Sequence, residues 1–107
     1  MASIDIRPIP CGSHAVRLWE SGSYGDRIDA VGVLTHESDA ECEFAMAHGN
    51  LTRAMLRLIA KTAHGMGYQV LRFSRPKGAL PLRFAERVGG DEHLEHYRVD
   101  LGVAVQG

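Results

Sequence analysis

Cysteine is scarce in this chain, with Cys11 and Cys42 alone among 107 residues. Two thiols give no paired-cysteine signature, and no secretory leader pattern opens the sequence, so reduced thiols in a cytosol-like compartment are expected. Net charge is scarce too. The balance of 12 basic against 13 acidic residues leaves −1, which does not indicate nucleic-acid binding by bulk electrostatics, although a local basic stripe leaves such binding open. Apolar runs stay far below the ~20 residues that span a bilayer, so no membrane association is expected. Neither an internal repeat nor a low-complexity linker divides the chain, and residues 1–107 read as one domain. A Walker loop and a G-x-S-x-G elbow are likewise missing. What remains is ordinary globular material, 45% hydrophobic and 23% charged. A domain of this length hides somewhat more than about 60% of the surface its unfolded chain exposes, so it can build a core without a metal or disulfide staple.

Periodicity places the elements. Ser3 to Ile9 alternates through Ile4 and Ile6 and reads as a short strand that Pro8 confines to a sheet edge. After a turn at Pro10, Gly12 and Ser13, Ala15 to Glu20 sets Val16 and Leu18 against Ala15, Arg17 and Trp19. Ser21 to Asp26 reads as a hairpin loop, and Arg27 to Thr35 returns as the next strand. Glu41 to Ala47 alternates strictly, with Cys42, Phe44 and Met46 on one face and Glu41, Glu43 and Ala45 on the other. Asn50 is a good N-cap. It predicts a helix from Leu51 to His64, with Leu51, Met55, Leu58, Ile59 and Thr62 as the apolar stripe opposite Arg53, Arg57 and Lys61. Gly65 and Gly67 close that helix. Tyr68 to Phe73 is then a strand, parallel to Glu41–Ala47 because a helix bridges the two. A second helix is predicted from about Ala79 to Val88, with Pro81 in its first turn and Gly89 and Gly90 as its stop. Glu92 to Leu101 is the closing strand, which Val103 to Val105 continue or fray from. The fold class is α/β (α+β): a mixed, mainly antiparallel sheet of five or six strands with two helices.

The run from Glu41 to Gly90 comprises a strand, a basic-faced helix, a second strand and then Pro81-Leu-Arg-Phe-Ala-Glu-Arg-Val-Gly-Gly90. That order resembles the core of the GNAT superfamily of acyl-CoA N-acyltransferases, and the resemblance covers about half the chain. It implies that the loop after the first of these strands, with the helix N-terminus behind it, faces a diphosphate. Gly49, Asn50, Leu51, Thr52 and Arg53 are then the cofactor-binding candidates, and acetyl-CoA is the implied cofactor. The family loop usually reads R/Q-x-x-G-x-G/A, whereas Ala47, His48, Gly49 and Asn50 hold a single glycine. In the family a tyrosine four residues before the glycine often protonates the leaving thiolate. Ala85 stands there, leaving Tyr68 and Tyr97 as substitutes by residue type. Glu41 or Glu43 is the candidate base. The helices that usually shape the acceptor site are lacking, because only Ile9 to His14 separates the first two strands. Small GNAT-like proteins of similar size and truncation are encoded by phages, some of them as virion components.

These departures favour a catalytically silent GNAT-like domain acting as a structural or interaction module. That reading expects no cofactor, a protein partner or self-association, and a location in the cytoplasm or in a phage particle. The alternative is a minimal N-acetyltransferase that moves an acetyl group from acetyl-CoA to an amine, with Glu41, Glu43 and Tyr97 as the catalytic candidates. No metal is expected, since His93 and His96 stand three apart on a strand and point to opposite faces. Cys42 follows the apolar phase of its strand and reads as a small core residue. Arg72, Arg75, Lys77, Arg83 and Arg87 add to the helix stripe and give the C-terminal half a basic side suited to an interaction surface. Trp19 reads equally as core or as an interface anchor.

Overall fold

The computed structural model describes residues 2–21, 27–79 and 81–106, without the side chains of 11 and 104–106. Its strands are β1 (Ser3–Pro8), β2 (His14–Trp19), β3 (Ala30–His36), β4 (Glu41–Gly49), β5 (Val70–Pro76), β6 (Glu86–Gly90) and β7 (Leu94–Asp100). Helix α1 (Arg53–Gly65) joins β4 to β5, and α2 (Leu101–Gln106) follows β7. All seven strands form one sheet in the order β1-β2-β3-β4-β5-β7-β6. Every pairing is antiparallel except β4 with β5, as a connection through a helix requires. The sheet is larger than the five or six strands expected, and the extra strand has a definite origin.

That strand is β6, where the second helix was expected from Ala79 to Val88. Instead the chain turns twice, with Ala79 N–H donating to the Pro76 carbonyl and Ala85 N–H to that of Leu82. Phe84 takes a positive φ of 66°, which ends any helical path. Glu86 to Gly90 then pairs with β7. Val88, Gly89 and Gly90 are poor helix formers, so a free ladder edge on β7 outweighs the weak propensity. At the other end of β7, Asp100 Oδ1 accepts from the Gly102 and Val103 amides at 2.9 and 3.4 Å. This acidic N-cap turns 101–106 into α2, where a strand continuation or frayed end was expected. The hairpin loop read at Ser21–Asp26 lies, for 22–26, outside the described residues.

One face of the sheet carries the core. Leu18, Leu34, Phe44, Leu71, Phe73 and Val99 are all nearly inaccessible and pack against Met55, Leu56, Ile59 and Ala63 of α1. The buried stripe is thus rotated from the expected one: Leu56 and Ala63 are inside, while Leu58 and Thr62 are half-exposed. Leu101 of α2 joins the same cluster, so both helices share this face. Trp19 is 2% exposed, which settles it as interior. Gly32 has a packing reason, since a Cβ there would collide with the Phe44 ring. The alternate residues of β4, β5 and β7 point the other way, where no described helix lies.

Candidate functional site

The end of β4 departs from regular strand geometry. Val33 pairs with Ala45 but Val31 with His48, so three steps of β4 stand against two of β3. The extra residue is a bulge centred on Met46, whose φ of 54° is costly for a side-chain-bearing residue. Gly49 follows at φ 96°, where an added Cβ would run into the Asp29 carbonyl, a position open only to glycine. On the other side of β4, pairing with β5 runs only from Glu41–Val70 to Phe44–Phe73. Beyond that point the two strands go their own ways. A cleft between diverging central strands is where the family resemblance would lodge a thioester cofactor.

The five cofactor-binding candidates line this end but are engaged with the protein itself. Asn50 N–H donates to the Asp29 carbonyl at 3.0 Å, so it ties the loop to the sheet and does not cap the helix. The cap is Thr52, whose hydroxyl accepts from Met55 N–H at 3.2 Å while its own amide donates to Met55 Sδ at 3.5 Å. Because β4 stays paired as far as Gly49, the chain needs Asn50 and Leu51 to reach the helix axis, and α1 starts at Arg53 rather than Leu51. Arg53 Nε donates to the Pro81 carbonyl at 3.0 Å. The Leu51 carbonyl accepts from Arg75 Nη1 at 2.8 Å.

Arg75 is the residue that sequence reasoning passed over as one more basic side chain. It lies on β5 beyond the last pair with β4, on the core side in phase with Leu71 and Phe73, and it is only 8% exposed. Its reach to Leu51 means that the guanidinium spans the divergence of β4 and β5. Burial pushes its pKa down, and among the described residues its Nε has no hydrogen-bond partner. Strand parity was the signal available: Arg75 continues the buried phase of Leu71 and Phe73.

The proton-transfer candidates fall in separate places. Tyr97 pairs with Phe73, the rings stacked at 5.5 Å, on the core side of the sheet. Its hydroxyl donates to Glu95 Oε2 at 2.9 Å; that bond first, then burial, holds its pKa above the ordinary value. Tyr68 lies two residues before β5, its oxygen 2.7 Å from His36 Nδ1, at the end of β4 remote from the bulge. Glu41 and Glu43 occupy the opposite, open face. Glu41 forms an ion pair with Arg72 at 3.5 Å. Glu43 lines an open pocket of about 330 Å³ with Arg72, Ser74, Val88, Gly89 and His96. The structure therefore brings Glu41 and Glu43 onto one face, and Tyr97 borders the same pocket as Glu43 although its ring stacks on Phe73 in the core phase. Ser74 and His96 were not foreseen as site residues, although antiparallel pairing places them side by side, Oγ to Nδ1 at 2.6 Å.

Two further expectations concern sulfur and metal. Cys42 is fully buried and reduced, its thiol pushed up to about 12 by burial and then by Glu41. A thiol so hard to ionise is a core residue and no nucleophile. Among the described residues no three His, Cys, Asp or Glu side chains converge as metal ligands. No described helix is long and apolar enough to cross a membrane.

Two solved structures share this architecture. FdhC, a nucleotide-linked sugar GNAT in its apo form, superposes with a TM-score of 0.60 at 14% identity, over 88% of this chain and 60% of its own. The chain has the GNAT fold. A GNAT family acetyltransferase from Elizabethkingia anophelis, solved with acetyl-CoA bound, superposes with a TM-score of 0.58 at 9% identity, over 92% of this chain and 97% of that one. No protein-family model and no curated protein matches the sequence. This GNAT-like chain thus spans about three-fifths of the length of FdhC and nearly all of the second protein. At such identities the likeness concerns the path of the backbone and not the residues placed on it.

Proposed function

We propose that this chain is a GNAT-like domain that retains the scaffold without acyl transfer, serving as a structural or interaction module through a protein partner or self-association, with a phage particle as one setting for it. The supporting observation is Arg75. Its guanidinium reaches past the last β4–β5 pair and is held by the Leu51 carbonyl, at the end of the sheet where the resemblance implies that the cofactor would enter. Part of the donor set at this end is already committed within the protein. The Thr52 hydroxyl caps its own helix, Arg53 is held by Pro81 and the loop has one glycine. Calorimetry with acetyl-CoA and coenzyme A, beside an acetyl-transfer assay on amines, tests the reading. No heat of binding at millimolar ligand and no transfer are expected. Micromolar binding, or turnover of any amine, would overturn it. Light scattering addresses the second half, which fails if the chain is strictly monomeric and captures no partner.

A second reading, a minimal N-acetyltransferase using acetyl-CoA, draws on a different observation. Met46 keeps a strained bulge at the cleft mouth, and strain of that kind persists most often where function needs it. Arg75→Ala separates the two. Under the acetyltransferase reading wild type already binds acetyl-CoA, whereas under the module reading any binding appears only after the guanidinium is removed.

A further inference from the structure

The open face of the sheet carries a pair that neither reading uses. Antiparallel register sets Ser74 of β5 opposite His96 of β7, and the Ser74 Oγ lies 2.6 Å from His96 Nδ1. With the ring proton on Nε2 the hydroxyl donates to Nδ1, the arrangement of a nucleophile and its base. The next strand sets Gly89 beside His96, where an added Cβ would stand 3.7 Å from the ring, so β6 opposes the imidazole with backbone alone. Val88, which the ladder skips between Arg87 and Gly89, is 53% exposed and lines the pocket of about 330 Å³ that holds the pair. Asp91, in the turn between β6 and β7, is held below its ordinary carboxylate range first by the amides of His93 and Leu94 and then by charge on His93 and His96. That coupling is mutual, so Asp91 favours the imidazolium that follows proton uptake by His96.

Arg72, two residues before Ser74 on the same face of β5, borders this pocket as well. Its charge is balanced by Glu41 at 3.5 Å and by Glu43, its register neighbour on β4. A pocket so balanced favours a neutral ligand, while the guanidinium keeps N–H donors beyond the one turned to Glu41. From this juxtaposition we infer that the open face hydrolyses small neutral carboxylic esters, with Ser74 as nucleophile and His96 as base. Ser74 Oγ bonds to the ester carbonyl carbon while His96 Nδ1 takes the hydroxyl proton, and the negative charge collects on the carbonyl oxygen, which accepts from Arg72. Collapse of this intermediate breaks the carbon–oxygen bond to the alcohol, which leaves with the proton from His96. Water then adds to the acyl-serine with His96 again as base, releasing the carboxylic acid and restoring the hydroxyl. Val88 gives the alcohol portion an apolar wall. The reaction involves neither coenzyme A nor an amine and nothing at the bulge, so it is independent of both readings of the cleft.

The test is labelling of the purified chain with diisopropyl fluorophosphate, which forms a phosphorus–oxygen bond to an activated serine and releases fluoride. Intact mass and peptide mapping should show a single adduct, on Ser74, with Ser13 and Ser38 unmodified as ordinary serines. Ser74→Ala should abolish the adduct. His96→Gln should slow its formation at least about a hundredfold, because an amide of similar size cannot take up the proton. Hydrolysis of 4-nitrophenyl acetate should be at least about tenfold faster with wild type than with Ser74→Ala, whose remaining rate is the background of surface imidazoles. Mapping on the wild-type protein decides the matter by itself should a variant fail to fold. The proposal is overturned by the absence of an adduct on Ser74, by labelling of Ser74 no faster than of Ser13 and Ser38, or by a His96→Gln protein that labels at the wild-type rate.

Discussion

The two faces of the sheet are written into alternate residues of the same strands, and they obey different rules. On β5, Leu71 and Phe73 point into the core and are at most 2% exposed, while Arg72 between them is exposed and holds Glu41 in a 3.5 Å ion pair. On β4, Cys42 and Phe44 are buried beneath α1, while Glu41 and Glu43 stand on the bare side. One face concentrates the apolar burial, the other the polar chemistry. Arg75 breaks the rule: it is a charge in the covered phase, and it does so where β4 and β5 part company. The comparison therefore separates stability from chemistry by side-chain parity and marks a place where they meet.

The division predicts unequal costs for neighbouring residues. Leu71→Ala removes a fully buried side chain from a well-packed layer and should destabilise the protein by about 2–5 kcal/mol. Arg72→Ala, one residue away, removes an exposed ion pair and should cost no more than about 1 kcal/mol. Urea denaturation of both variants measures the contrast. Similar losses for the two would mean that the open face contributes to stability in some way that the packing does not account for.

Much of this was legible in the sequence where a single period governed a run. The strict alternation of 41–47 identified β4, and the strand-helix-strand order fixed its parallel pairing with β5. The GNAT resemblance rested on the same stretch. What failed was decided by partners distant in the chain. Helical spacing around Pro81 and the glycine stop gave a plausible second helix, yet the hydrogen-bonding edge that claims Glu86–Gly90 is β7, which a local reading cannot supply. Asn50 outranks Thr52 as a cap by residue type, but its amide is taken by Asp29, twenty-one positions earlier. For the site, residue type could nominate candidates but could not group them. Glu43 and Tyr97 stand in opposite phases of their strands yet border one pocket, and Arg75 was indistinguishable from surface arginines until strand parity placed it inside.

Gly49 lies where the covered and open faces meet at the end of β4, and its substitution should have the next largest effect. Its φ of 96° and the approach of the Asp29 carbonyl leave no room for a methyl group. Gly49→Ala should cost about 1–3 kcal/mol, because the backbone must either keep a strained conformation or shift off β3. Gly78 has a similar φ of 90° but nothing near its absent Cβ. Gly78→Ala should therefore show the strain alone, and a Gly49→Ala loss no greater than that of Gly78→Ala would refute the role of the close approach.

The covered face should also dominate the alkaline response. The Cys42 thiol rises from its ordinary 9.0 to about 12 in the folded state. The folded protein thus keeps a proton that the unfolded chain gives up, so stability is full below about pH 9 and falls as pH climbs toward 12. The slope attributable to this one group is at most about 1.4 kcal/mol per pH unit. Burial raises Tyr68, and the bond to Glu95 raises Tyr97, in the same direction at higher pH. Comparing wild type with Cys42→Ala isolates the thiol: the variant should lose less stability between pH 8 and pH 10, and parallel curves would remove Cys42 from the account.

The smallest effect concerns the start of the helix that makes one face covered and leaves the other bare. Thr52 accepts from Met55 N–H at 3.2 Å and is the residue that satisfies an otherwise free amide of α1. Thr52→Ala should cost about 1 kcal/mol, and Thr52→Ser should restore most of it, since a serine hydroxyl caps at least as well. Asn50→Ala is the control that the sequence itself suggests. The Asn50 contact with Asp29 is made by its backbone, which alanine retains, so this change should alter stability by no more than about 0.5 kcal/mol. The reverse ranking in chemical denaturation would return the cap to Asn50 and lengthen α1 by two residues toward the loop. The Thr52 amide, which donates to Met55 Sδ at 3.5 Å, would then be released toward the cleft, and the case against an anionic cofactor would lean more heavily on Arg75.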